Sequence, residues 1–228
     1  MTMIAEGPKI AALSCGKPVY LVVLLHGEGS TGSAILDHAL NWAPAMPKAD
    51  FLAAEAPVPG LEGTGRQWFA ASDFLGAEAG AAMEASAAAL NAFLDAALAA
   101  RRLPDSHLAL VGFSQGAMVA LCAALLRPKP VAAVVCFGGA LPTDVPAEVR
   151  ARPQVLMIHG EDDPLVPFAA MSATKERLKG AGVPVRSLRR HGLGHVMDDD
   201  GVLAAGHFLA TEVVHRLAPL EEHDHDQH

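Results

Sequence analysis

The chain has 228 residues, 51% of them apolar and 18% charged, with a formal net charge of −8. That length fits one domain with a continuous core and requires neither disulfides nor a structural metal. The acidic balance argues against nucleic acid and anionic membrane as partners and leaves uncharged small molecules open.

Residues 1–14 suit a short antiparallel edge. The continuous apolar run 18–25 is rich in β-formers, the pattern of a strand buried on both faces. A glycine-rich loop, 26–32, and a helical stretch over about 33–42 follow. A second strand at 51–56 is closed by Pro57 and Pro59. Residues 57–76 hold Pro, Gly, Arg66, Trp68 and Phe69 without a period and read as a long surface loop. An alanine-rich helix spans about 77–102, with Met83, Ala87, Leu90, Leu94 and Leu98 on one face and Glu84, Asn91 and Asp95 off it; Pro104 ends it. Strands are predicted at 107–111, 131–137, 154–158 and 184–189, and helices at 117–126, 167–181 and 201–217.

Strands that alternate with helices imply an α/β fold: a mostly parallel sheet with helices on both faces, in a single domain over 1–218. Ligands of such sheets bind beyond the carboxyl ends of the strands. Residues 219–228, acidic and His-rich, read as a disordered tail. Cys15, Cys122 and Cys136 are odd in number; the last two lie in apolar segments and read as packed free thiols. No N-terminal stretch reads as a secretory signal, and no apolar run reaches the roughly 18 residues of a membrane span. A cytoplasmic protein without integral membrane association is therefore expected.

The chemistry starts at Gly112-Phe113-Ser114-Gln115-Gly116, between a strand and a helix. A serine there sits on a tight turn that exposes its hydroxyl at the carboxyl edge of the sheet, and the glycines allow strand and helix to approach closely. A hydroxyl needs a base, and the base needs a partner that fixes its tautomer. Two post-strand loops supply both: His159-Gly160-Glu161-Asp162-Asp163-Pro164, and Gly192-Leu193-Gly194-His195. The order Ser, Asp, His is that of α/β-hydrolases.

Among the 11 histidines, His191 competes with His195; the glycines at 192 and 194 favour His195 because they let the loop bend toward Ser114. Asp163, held extended by Pro164, is favoured over Asp162. His26 and His159, at strand ends before glycines, are expected to make structural hydrogen bonds. The N–H groups of Gln115 and Glu28 are the expected oxyanion donors. The 26–32 loop lacks the Lys-Ser/Thr ending of a phosphate loop, and no His/Cys/Asp cluster has metal spacing, so neither phosphate nor metal binding is expected.

These segments together resemble the phospholipase/carboxylesterase family, which includes the acyl-protein thioesterases. The resemblance rests on Leu25–Gly32, the 112–116 elbow, Gly160–Pro167 and Gly194-His195, and it covers about 18–215. Gly65-Arg66-Gln67-Trp68-Phe69 is similar to the tryptophan loop of the short bacterial carboxylesterase branch. It implies an α/β-hydrolase fold and a cofactor-free Ser114-His195-Asp163 hydrolase, often dimeric, acting on small carboxylic esters or thioesters. The same triad also serves lysophospholipids and small peptides. A binding module would be expected to lack a triad member, and none is missing.

The chain departs from the family pattern at Glu28, usually apolar, at Ala70, commonly aspartate, and at Gly138 or Gly139, often serine. Loop lengths leave no room for a cap domain, which makes Trp68 and Phe69 the expected acyl wall. With Glu28 at the mouth, short to medium acyl chains are the expected substrates.

Overall fold

The computed structural model describes residues 3–60, 63–71 and 73–216; the tail expected over 219–228 lies outside them. The chain runs through β1 (Ala5–Ile10), β2 (Tyr20–Leu25), α1 (Gly32–Leu36) and β3 (Ala49–Glu55). A small antiparallel ribbon, β4 (Val58–Pro59) with β5 (Arg66–Gln67), precedes α2 (Ala77–Arg101). Then come β6 (Leu108–Phe113), α3 (Gln115–Leu126), β7 (Ala133–Phe137), β8 (Gln154–Gly160), α4 (Phe168–Gly180), β9 (Val185–Arg190) and α5 (Asp199–Leu209).

The main sheet has seven strands in the order β1-β3-β2-β6-β7-β8-β9. Only β1 is antiparallel to its neighbour. β2 shows why these sequences make such a sheet. Leu21, Val23 and Leu25 face α2 and α3, and Tyr20, Val22 and Leu24 face α1, Trp42 and α5. Both alternate sets are buried, so the strand is apolar throughout. The face of α2 formed by Met83, Ala87, Leu90, Leu94 and Leu98 lies in the core, as its spacing predicts. Among the described residues, no cap is inserted at the carboxyl edge of the sheet.

Two stretches differ from expectation. The helix expected over 33–42 is α only to Leu36 and continues as 3-10 turns over Asp37–Asn41 and Ala43–Ala45. Pro44 has no N–H to carry the ladder on, and the break turns Trp42 inward, where its Nε1–H donates to Val202 O at 2.8 Å. The stretch 57–76 is not simply a surface loop. It contains the β4–β5 ribbon, and Trp68 and Phe69 are 1% and 3% exposed. At the last helix, Asp198 caps α5 by accepting from Gly201 N–H at 3.1 Å. α5 then continues into a wider π-type turn over Ala210–His215.

The two sheet edges are unlike the middle. β1 carries Pro8 and a register shift between Glu6 and Lys9. β9 carries Arg186, Arg189 and Arg190, which pair with Glu212, Glu161 and Asp198. Cys122 and Cys136 are buried free thiols, and burial pushes both up to about 12.

Where α3 meets α2, the buried Arg127 donates to Asp105 Oδ1 (2.6 Å), Asp95 Oδ1 (2.7 Å) and Asn91 Oδ1 (3.1 Å). Removing one partner of a fully buried pair costs about 3–5 kcal/mol. Asp95 is largely solvated here, so Arg127→Met is expected to lose about 2 kcal/mol. Urea unfolding should show this as a lower midpoint with an unchanged slope; an unchanged midpoint would contradict it.

Candidate active site

The site begins with a steric demand. Ser114 joins β6 to α3 at φ 53°, ψ −121°, a region that a residue with a Cβ rarely adopts. A Cβ on Gly112 would lie 2.5 Å from the Ala117 backbone, and one on Gly116 would overlap the carbonyl oxygens of Leu25 and His26. Only glycines at both positions let the helix begin this close to the strands. The turn is pinned by Ser114 N–H donating to Phe137 O at 2.8 Å.

The three expected side chains meet above this turn. His195 Nε2 lies 2.8 Å from Ser114 Oγ, and His195 Nδ1 lies 2.6 Å from Asp163 Oδ2. A carboxylate only accepts, so Nδ1 carries the proton and Nε2 offers its lone pair to the hydroxyl. Asp163 is buried, and its Oδ1 accepts from the N–H groups of Leu165 (2.9 Å) and Val166 (2.8 Å). His159 Nε2–H donates to Val166 O at 2.8 Å and lies 3.4 Å from Asp163 Oδ2. Phe113 packs against the His195 ring with centroids 4.9 Å apart. Gly138, at φ +57°, lies beneath that ring; a Cβ there would come 3.2 Å from His195 Cε1.

The competitors lie elsewhere. The His191 ring is largely solvated and bonds Glu161 Oε2 at 2.8 Å. The Asp162 side chain is exposed, while its N–H donates to Leu193 O at 3.0 Å. The loop that carries His195 is braced at both ends. Gly160 abuts it so closely that a Cβ would overlap the carbonyls of Leu193 and Gly194. Arg190, just before the loop, donates through Nε (2.8 Å) and Nη2 (2.6 Å) to Asp198, just after it.

The two N–H groups expected as oxyanion donors lie on adjoining loops. Gln115 is the first residue of α3, so its N–H has no carbonyl within the helix. Among the described residues the Glu28 N–H has no acceptor. Gly27, beside it, packs on Ser114: a Cβ there would lie 3.4 Å from Ser114 Cβ. The Glu28 side chain is half-buried, which raises its carboxyl above the ordinary range.

Sequence reasoning missed what holds these loops. The fully buried Gln115 side chain accepts from Trp68 N–H (2.6 Å) and donates to Phe69 O (2.8 Å). Trp68 Nε1–H donates to His26 O at 2.8 Å. Arg66 exchanges backbone bonds with Gly29 and Ser30 and donates its guanidinium to the carbonyls of Ala56 and Pro57. The available signal was Trp68 itself, since a tryptophan with a polar N–H seldom stays on the surface.

A cleft of about 250 Å³ opens beside His195. Gly27, Ser30, Ala34, Ile35, Phe113, Val196 and Met197 line it. Trp68 and Phe69, expected as the acyl wall, are not part of it; their rings fill the core beneath Gln115 and brace the donor loops instead. Among the described residues no group of three His, Cys, Asp or Glu could hold a metal ion, and no helix is long and apolar enough to cross a membrane.

A mostly parallel sheet with a strained serine elbow and an imidazole–carboxylate pair at its carboxyl edge is the arrangement of an α/β-hydrolase. The chain belongs to the phospholipase/carboxylesterase family, whose sequence model matches residues 11–213. It is 35% identical over 168 residues to the putative esterase NocK of Nocardia uniformis subsp. tsuyamanensis, covering 72% of this chain but only 45% of that protein. It is 27% identical over 182 residues to esterase YpfH of Escherichia coli K12, covering 78% and 77% of the two chains. The crystal structure of esterase PE8 superposes with a TM-score of 0.84 at 33% identity, covering 92% of this chain and 99% of that one.

Burial lowers both His26 and His159 below the ordinary 6.5, so each is neutral in the folded protein at pH 7. The unfolded chain protonates them near 6.5, so below that pH it binds protons that the fold refuses, and stability falls on acidification. The thermal midpoint is expected to drop between pH 7 and pH 5, with a shallower slope in His159→Gln. A midpoint that rises over that window would contradict this.

Proposed function

We propose that this enzyme hydrolyses carboxylic esters of short to medium acyl chain, with Ser114 as nucleophile, His195 as general base and Asp163 as its orienting acid. The observation that carries the reading is the unbroken relay from Ser114 Oγ to His195 Nε2 (2.8 Å) and from His195 Nδ1 to Asp163 (2.6 Å). His195 removes the hydroxyl proton as Oγ attacks the ester carbonyl carbon. The carbonyl oxygen takes up the negative charge between the N–H groups of Glu28 and Gln115, which need not reorient. The tetrahedral species collapses by breaking the bond to the alcohol oxygen, which leaves with the proton from His195. Water, deprotonated by the same imidazole, then attacks the acyl-enzyme, and the acid departs as Ser114 regains its proton.

Two features limit acyl size. The cleft of about 250 Å³, which has to seat the ester group together with the start of its alcohol arm, is smaller than the 300–1,000 Å³ typical of sites for drug-sized ligands. Glu28, next in the chain to Gly27 of the cleft, carries a half-buried carboxyl that is a poor neighbour for a long apolar chain.

A fluorophosphonate probe should label the wild type and leave Ser114→Ala unlabelled; labelling of the variant would sink the assignment. His195→Ala is expected to lower kcat by at least about a thousandfold, and His191→Ala to stay within about tenfold of wild type. The reverse ranking would move the base to His191. Asp163→Asn should lose about a hundredfold or more, and Asp162→Asn should stay near wild type.

A further inference from the structure

Next to the cleft lies a second space, a groove of about 380 Å³ between the 37–45 segment and α5. His38 lines both spaces, and it is the residue they share. The two are also continuous along the chain on either side. Ala34 and Ile35 of the cleft wall lead to His38, and Val196 and Met197 lead to Asp199 at the groove.

The groove is a built feature of the fold. Its walls are joined by the Trp42 Nε1–H bond to Val202 O at 2.8 Å. Gly206 lies against the Trp42 ring, and a Cβ there would come 2.8 Å from Cδ1. Leu203, 62% exposed, lines the groove as an apolar side chain open to solvent. The polar groups are Asn41, Asp199 and His207 at the edge and His38 at the passage.

The direction of the reaction selects what would lie there. On the triad reading above, His195 Nε2 hands its proton to the leaving oxygen, so the alcohol side of the ester lies beside His195. Val196 and Met197 follow His195 directly and line the cleft, which meets the groove at their shared residue, His38. We infer that this groove is a subsite for the alcohol arm of the ester, an extended alcohol that is apolar at its far end and carries no negative charge. The apolar floor of Trp42, Val202 and Gly206 receives the chain. Asp199 at the edge excludes anionic arms. His38, kept neutral because burial lowers its pKa, offers a hydrogen bond midway.

Hexyl acetate and ethyl hexanoate test this, because they are isomers that differ only in which side of the ester carries the long arm. Leu203→Asp and Ala45→Asp put a charge on opposite walls of the groove at exposed positions; thermal melting confirms that each variant folds. Each variant is expected to lower kcat/KM for hexyl acetate by about fivefold or more, while ethyl hexanoate stays within about twofold. A loss confined to ethyl hexanoate, an equal loss on both, or no change in either overturns the subsite. Turnover that persists in Ser114→Ala would instead overturn the triad reading on which the subsite rests. Turnover that depends on Ser114 but ignores both groove variants defeats the subsite alone.

Discussion

Helix α3 can start where it does only because two residues have no side chain. Gly112 and Gly116 let it begin against the ends of β6 and β2, at separations where any Cβ would meet backbone atoms. That approach forces Ser114 into its positive-φ conformation, at a cost of about 1–3 kcal/mol that the surrounding packing must offset. The cost is met by a helix buried along nearly its whole length, from Gln115 to Leu125. It yields a hydroxyl lifted clear of the sheet and, in the same space, an N–H with no acceptor in its own helix. Larger side chains at either glycine would relax the turn and withdraw both groups together.

The other parts of the site are loops, and each is tied by bonds that reach across the molecule. Asp163 is fixed by two backbone N–H groups of its own turn, and His159 steadies that turn from below. The His195 loop is closed by the Arg190–Asp198 pair, and Asp198 also caps α5. The two donor loops share one brace: Trp68 bonds the carbonyl of His26 on one side and Gln115 on the other. Gln115 thus belongs to both systems, through its N–H at the turn and its amide in the core.

Most of the fold was legible because its signals are local. Apolar runs bounded by glycine or proline mark the buried strands, and the elbow is a five-residue pattern with a strand before it and a helix after it. The proximity of Ser114, Asp163 and His195 was legible from their order after strands β6, β8 and β9, all at the carboxyl edge of one sheet. Choosing between His191 and His195 by flanking glycines was a weaker argument. Gly192 does adopt a left-handed φ and Gly194 does not, and what separates the two rings is a contact of His191 with Glu161. What holds Trp68 in place was not legible, because the side chain that accepts from its N–H, that of Gln115, is 47 residues away. Nor was the breakdown of the 33–42 helix, where Pro44 and the inward turn of Trp42 outweigh a helical pattern.

The borders of the sheet have a consequence for how this molecule meets others. A free strand edge is a template on which a second chain can add a strand. At one border, β1 presents a proline, which has no N–H to give, and a register shift that bends the ladder. At the other, β9 lines the border with three arginines, each engaged by an acid from a different part of the chain. A second copy approaching either border finds an interrupted ladder or a row of charge. The sheet therefore ends where this chain ends it, which guards against fibre-like stacking of one copy on another.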